Sequence, residues 1–282
     1  MGVVDGIVHD RVLVVRMAGA GANALDREMA GQLHALAGRA AQSPEIGAVL
    51  ITGAFGNAFC GGSNIKELTA LHDSGAGPSS LLRAEAAAFA AIAALDKPVV
   101  AAIEGPAVGG GLELALCCDV IIAADTARLS LPEINIGVFP ALGGTVRLQR
   151  RIGEGRARAM LFQGEEISAR QALDWGLVNE VVPTVQVYRH ARALAARMAA
   201  GPAMAMAGIK QSLRLAAQGD DDAALAAALA AAEAHGQSSE VAEGFRAFAA
   251  KESPDFTRTR MVAANVTPLS AHHAGLQKAR KP

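Results

Sequence analysis

An α/β fold is predicted by three features of the sequence. Continuously apolar runs at 47–52, 97–103 and 120–124 alternate with segments of helical period, a pattern that favours largely parallel strands covered on both faces. The first two runs each open into a Gly-rich loop that feeds a helix. From about residue 186 the pattern turns to helices alone. These features divide the chain into a core at 1–195 that carries the chemistry, a helical region at 196–260, and an aperiodic tail at 261–282.

Residues 3–8 and 11–16 read as two short strands around a turn at residues 9–10. Leu25, Met29, Leu33, Leu36 and Ala40 then recur at helical spacing. "GAVLIT" at 47–52 is a buried strand, followed by the loop "GAFGNAFCGGSN". "IKELTAL" opens a helix that gives way to a mobile loop, "HDSGAGPSS". Residues 81–95 form an Ala-rich helix, and "KPVVAAI" at 97–103 is a second buried strand. A short helix at 112–118 and a third buried strand, "VIIAA" at 120–124, follow. Asp220, Asp221 and Asp222 open another Ala-rich helix, where carboxylates suit the positive end of the dipole. Val241, Phe245 and Phe248 make an apolar stripe on the last clear helix.

The 282 residues are 51% hydrophobic and 19% charged, which suits a globular chain with a sizeable core. A net charge of -1 with no long basic run excludes the electrostatic footprint of a nucleic-acid binder; only "LQKARKP" at the end is locally basic. Cys60, Cys117 and Cys118 have no metal-binding spacing and imply a reduced, cytoplasmic setting. The first residues lack the marks of a signal peptide. Region 98–124 is broken by Glu104, Glu113 and Asp119, which argues for a buried core over a membrane span.

The chemistry begins at "EGPAVGGGLELALCCD", 104–119. Gly109, Gly110 and Gly111 run into a helix start, whose first N–H groups have no intrahelical partner and carry partial positive charge. Bare backbone there lets an oxygen approach that becomes negative during reaction. The same glycines would also serve tight strand-to-helix packing. "CGGSN" at 60–64 repeats the arrangement after the preceding strand, so two N–H groups can converge on one oxygen. Two carboxylates accompany these loops, Glu113 in the first helical turn and Glu133 in "LSLPEINIG". Paired acids beside an oxyanion site suit proton transfer next to a carbonyl. Burial is expected to raise one pKa while the helix start lowers that of Glu113, separating acid from base. Plain structural roles, a dipole-stabilising glutamate and a surface loop residue, are the alternatives. No G-x-G-x-x-G, Walker, H-E-x-x-H or G-x-S-x-G motif is present. Ser63 as a nucleophile would depend on His72, in the loop segment, which speaks against a serine hydrolase.

Three blocks together, "NAL" at 23–25, "VLITGAFGNAFCGGSNIKEL" at 49–68 and "KPVVAAIEGPAVGGGLELALCCDVIIAADTARLSLPEINIGVFPALGGTVRL" at 97–148, resemble the enoyl-CoA hydratase/isomerase, or crotonase, family. "EGFRAFAAKESPDF" at 243–256 resembles its C-terminal segment. The resemblance implies a crotonase-like spiral of ββα units with a C-terminal helical trimerisation region, assembled as a homotrimer or a dimer of trimers. It makes the backbone amides of Ser63 and Gly110 the oxyanion hole and Glu113 and Glu133 the catalytic acids, with Glu113 serving the water and Glu133 the α-proton. Ser63 and Asn64 stand where alanine and aspartate are common. Ala22, Ala24, Gly61, Asn64, Ile65, Lys66, Gly109 and Phe139 fall at substrate or CoA positions, with Pro140 and Leu142 beside the acyl chain. The implied activity is hydration of a 2-enoyl-CoA to a 3-hydroxyacyl-CoA, with an acyl-CoA thioester as substrate and no metal or redox cofactor. Isomerase, thioester hydrolase or lyase chemistry, and a non-catalytic CoA-ester-binding role, are the alternatives. Retention of two glutamates favours hydration, because a double-bond shift needs only one.

Overall fold

The computed structural model describes residues 2–54 and 58–259. They form two compact units, one ending at Ala199 and one starting at Ala200. The tail assigned to 261–282 lies outside the described residues.

In the first unit, β1 (Val3–His9) and β2 (Val12–Ala18) pair antiparallel. The turn falls one residue later than the sequence reading placed it, at Asp10 and Arg11, with φ of 50° and 63°. Two left-handed residues follow the twist of the strand pair, as in tight hairpins. Helix α1 (Arg27–Gln42) is capped by Asp26, which accepts from the Met29 amide, and it buries Met29, Leu33, Ala37 and Ala40. There follow β3 (Ala48–Gly53), α2 (Ile65–Asp73), α3 (Ser79–Ala93), β4 (Val99–Ile103), β5 (Ala107–Val108) and α4 (Gly110–Ala115). Next come β6 (Val120–Ala124), β7 (Arg128–Ser130), a 3₁₀ turn at Glu133–Ile136, α5 (Gly144–Ile152) and α6 (Glu154–Gln163). The unit closes with β8 (Ile167–Ser168), α7 (Ala169–Asp174), β9 (Glu180–Val182) and α8 (Val187–Ala200).

The strands make two sheets. One has the order β1-β2-β3-β4-β6-β9, parallel from β2 to β9. The other has the order β5-β7-β8, and single bridges at Cys60–Ala107 and Leu25–Ser63 extend its pattern. β4 lies in the first sheet, β5 in the second, and α4 follows; β6, β7 and α5 repeat the step. This is a spiral of ββα units. β3 and β4 are buried throughout, as expected of strands covered on both faces. Each fully buried Leu or Ile among them contributes about 1.5–3 kcal/mol. Buried Thr52 satisfies its hydroxyl on Ala102 O at 3.2 Å, across the β3–β4 pair.

Three boundaries differ from the sequence reading. The expected loop at 72–80 shortens to residues 74–78, because α2 runs to Asp73 and α3 starts at Ser79. The helix expected at 112–118 starts at Gly110, so two of the three glycines are helical. β5, β7, β8 and β9, of two or three residues each, carry no readable period.

The second unit holds α9 (Ala203–Ala216), α10 (Asp221–His235), α11 (Ser239–Ala250) and α12 (Phe256–Thr259). Asp220 caps α10 by accepting from the Ala223 amide. Buried Glu240 accepts from the amides of Ala203 and Met204 at 2.9 and 3.0 Å, filling the start of α9. In the stripe read on α11, Phe245 and Phe248 are 74% and 87% exposed in the isolated chain. No helix among the described residues is long and apolar enough to cross a membrane.

Candidate active site

The two glycine loops meet. Cys60 O accepts from the Val108 amide at 3.0 Å, tying the loop after β3 to β5. Around Ser63 the neighbouring amides are spent: Leu25 N donates to Gly62 O, and Asn64 N to Leu25 O, both at 2.7 Å. Around Gly110, Gly109 N donates to Ser130 O at 2.9 Å. The amides of Ser63 and Gly110 themselves have no acceptor among the described residues. They are adjacent, since a Cβ on Gly110 would stand 3.5 Å from Ser63 N and one on Gly62 would stand 3.1 Å from Gly110 N. Gly109, with φ 54° and ψ -127°, makes the left-handed step that turns β5 into α4 and leaves the Gly110 amide unbonded. Two unfilled donors side by side at a buried helix start form a receptor for one oxygen that gains charge.

Both acids lie close to these loops, Glu113 in the first turn of α4 and Glu133 beside Gly109. Glu113 is almost wholly buried, and its Oε1 accepts from the amides of Leu142 and Gly144 at 2.8 and 2.7 Å. Arg147 braces that turn by donating to Leu142 O at 3.1 Å. Glu113 Oε2 is left without a hydrogen bond among the described residues. Burial pushes the Glu113 carboxyl up to about 7; the Gly144 and Leu142 amides and Arg147 oppose the rise, and Glu133 adds to it. The expectation that the helix start would lower this pKa is therefore corrected. All of α4 is buried, so desolvation outweighs the dipole. Glu133 opens the 3₁₀ turn with its Oε1 3.0 Å from where a Gly109 Cβ would be, and its Oε2 is buried with no partner among the described residues. Burial raises its pKa too.

Around this centre, residues 20–24 form a strained turn in which Ala22 and Asn23 hold φ of 64° and 59°. Asn23 fastens it by accepting from Gly19 N and donating to Ala58 O, and the Ala22 carbonyl accepts from Gly61 N at 2.8 Å. Ala22 is thus tied to Gly61, and Ala24 precedes Leu25, whose amide donates to Gly62 O next to Ser63. Asn64 caps α2, accepting from the Lys66 and Glu67 amides. Ile65 and Lys66 follow on the exposed side, Lys66 without an ion pair among the described residues. Pro140 and Leu142 are buried, whereas Phe139 is 68% exposed. Sequence reasoning missed Glu85, on α3, which accepts a 2.9 Å hydrogen bond from the Ser63 hydroxyl. No cluster of metal-ligating side chains occurs among the described residues, and all three cysteines are buried free thiols.

The profile of the family described as enoyl-CoA hydratase/isomerase matches residues 8–259. A probable enoyl-CoA hydratase from Mycobacterium bovis is 35% identical over 235 residues, covering 83% of this chain and 90% of the relative. The 2,3-dehydroadipyl-CoA hydratase of Escherichia coli K12 is 37% identical over 236 residues, covering 83% and 88%. The crystal structure of an enoyl-CoA hydratase from Bacillus anthracis superposes with a TM-score of 0.85 at 30% identity, over 90% of this chain and 98% of that one.

Proposed function

The chain belongs to the enoyl-CoA hydratase/isomerase family, and on that footing we propose how its residues divide the work. Its activity is enoyl-CoA hydration, the reversible addition of water to a 2-enoyl-CoA to give a 3-hydroxyacyl-CoA. The thioester oxygen accepts from the Ser63 and Gly110 amides. Glu113, locked through Oε1, holds water on Oε2 and takes its proton as the water oxygen bonds the β-carbon. The π electrons move onto the thioester oxygen as an enolate, and Glu133 protonates the α-carbon as the carbonyl re-forms. Proton exchange with solvent returns both acids to their starting states. One lost oxyanion donor typically costs ~2.7–4 kcal/mol in the transition state, and positioned acid–base catalysis supplies roughly 10²–10⁴-fold.

The observation that carries this reading is the pair of unbonded amides flanked by two carboxyls of raised pKa. A double-bond shift would use one such acid, so the pair favours hydration over isomerisation. Loss of the conjugated enoyl absorbance on mixing the protein with crotonyl-CoA, with 3-hydroxybutyryl-CoA as product, tests it; a persistent enoyl spectrum would refute it.

In the same reading, Ala22, Ala24, Gly61, Asn64, Ile65 and Gly109 border the CoA thioester, Lys66 serves its phosphates, and Phe139 borders the acyl chain. These steps draw on no metal or redox cofactor. Leu225, Leu229, Phe245 and Phe248, exposed on the second unit, supply apolar surface for a homotrimer or a dimer of trimers. Light scattering during size-exclusion chromatography reads that mass. The three free thiols support a cytoplasmic setting.

A further inference from the structure

One buried acid takes no part in these steps. Glu85 lies on the inward stripe of α3, with Leu81, Ala88, Phe89 and Ile92, and is 0% exposed. Its Oε2 accepts from the Ser63 hydroxyl at 2.9 Å. Its Oε1 is equally buried and has no partner among the described residues. Ser63 is the residue whose amide forms half of the oxyanion receptor, and a Cβ on Gly110 would lie 3.5 Å from both its N and its Oγ. The side chain of Ser63 is therefore moored in the core while its amide faces the substrate oxygen.

The charges around Glu85 are of one sign. Glu113 on α4 and Glu67 on α2 face it, the Cys60 thiol lies beside it, and no arginine or lysine among the described residues is paired with it. Burial pushes its carboxyl up to about 8; the Ser63 hydrogen bond opposes this, and Glu113 and Glu67 add to it. A buried carboxylate with no cation is held at high cost, and one directly behind an oxyanion site repels the charge that catalysis places there.

Taking the site as a hydratase, we propose that Glu85 is a positioning residue: its carboxyl moors the Ser63 hydroxyl, and thereby the Ser63 amide, and must be uncharged while the thioester oxygen becomes an enolate. A glutamine in its place keeps the mooring and never ionises. A leucine keeps the volume and loses the mooring.

The experiment measures kcat and KM for crotonyl-CoA hydration between pH 6 and 9.5 in the wild type, Glu85→Gln and Glu85→Leu. Between pH 7 and 9 the wild-type kcat should fall about fivefold, ionisation of Glu85 near 8 outweighing the last of the Glu113 ionisation near 7, while in Glu85→Gln it should rise by no more than about twofold. Glu85→Leu should lose about tenfold or more in kcat at pH 7 with KM moved less than about threefold, and Gln should restore it. An alkaline limb in Glu85→Gln that overlays the wild type, as one owed to Glu133 would, overturns the proposal. So does a Leu variant with wild-type kcat. If Leu fails to fold, the Gln comparison decides alone.

Absence of hydration in the wild type would refute the hydratase reading by itself. Glu85 is then read by binding of acetoacetyl-CoA as its enolate. Glu85→Gln should bind it about tenfold tighter than wild type at pH 9 and equally at pH 7, the ligand's own ionisation cancelling in the comparison. Equal binding at both pH values overturns the proposal.

Discussion

Gly111 and Cys60 are packed backbone to backbone: a Cβ on Gly111 would stand 2.1 Å from the Cys60 carbonyl oxygen. That oxygen also accepts from Val108 N, so it cannot withdraw without breaking the tie between the two oxyanion loops. Gly111→Ala should therefore destabilise the fold by about 1–3 kcal/mol, as overpacking does, and reduce kcat further by spreading the Ser63 and Gly110 amides. Gly31, also helical, meets nothing within 4 Å, and Gly31→Ala should instead stabilise by about 0.5–1 kcal/mol. Urea midpoints of the two variants should move in opposite directions; a shared direction would contradict the packing argument.

Removing either acid tests the division of labour. Glu113→Gln keeps the side chain's shape but loses the base, and Glu133→Gln loses the proton donor. Each should lower kcat for crotonyl-CoA by about 10²–10⁴-fold with a much smaller change in KM, because the thioester is held by backbone amides. Steady-state kinetics settle the point. Full activity in both variants would sink the assignment.

The pH profile carries a signed expectation for Glu113. As the base it works ionised, and its carboxyl is raised to about 7. Hydration should therefore rise about tenfold per unit well below pH 7 and level off above it in Glu85→Gln, while the wild type turns down toward pH 8. If Glu113 worked as an acid instead, the limb would run the other way. Initial rates at saturating crotonyl-CoA from pH 5 to 8 distinguish the two.

Much of this site was legible because the chemistry sits in local runs. Gly109, Gly110, Gly111, Ser63 and both glutamates lie in strand-to-helix junctions whose order along the chain mirrors the order of the strands in the sheet. The direction of the Glu113 shift was misread because a helix start argues for a lower pKa, and only three dimensions show that α4 is buried on every side. Glu85 was missed for a different reason. Its spacing from Leu81, Ala88 and Ile92 already puts it on the buried stripe of α3, but alanines fill both faces of that helix and blur the contrast between them. A lone charge in such a segment reads as solvated. Strands of two or three residues, such as β5 and β8, are held by the spiral itself and have too few side chains to display alternation.

Stability should depend on pH through Glu85, with a definite sign. Its carboxyl sits at about 8 in the folded chain against an ordinary value of 4.5. Between those values the folded state keeps a proton that the unfolded state has released. The unfolded state then binds fewer protons, so stability falls as pH rises through the window and levels off above about 8. At about 1.4 kcal/mol per unit, the loss from this one group is on the order of several kcal/mol. Glu113 adds a smaller decline that ends near 7. Glu85→Gln cannot ionise and should escape the larger part. Relative to wild type it should therefore gain stability from pH 5 to about pH 8 and keep that gain at pH 9, even if the substitution costs something at pH 5. Urea unfolding at pH 5, 7 and 9 measures the difference directly. A gap between variant and wild type that stays constant with pH would mean that Glu85 is ionised in the folded protein at neutral pH.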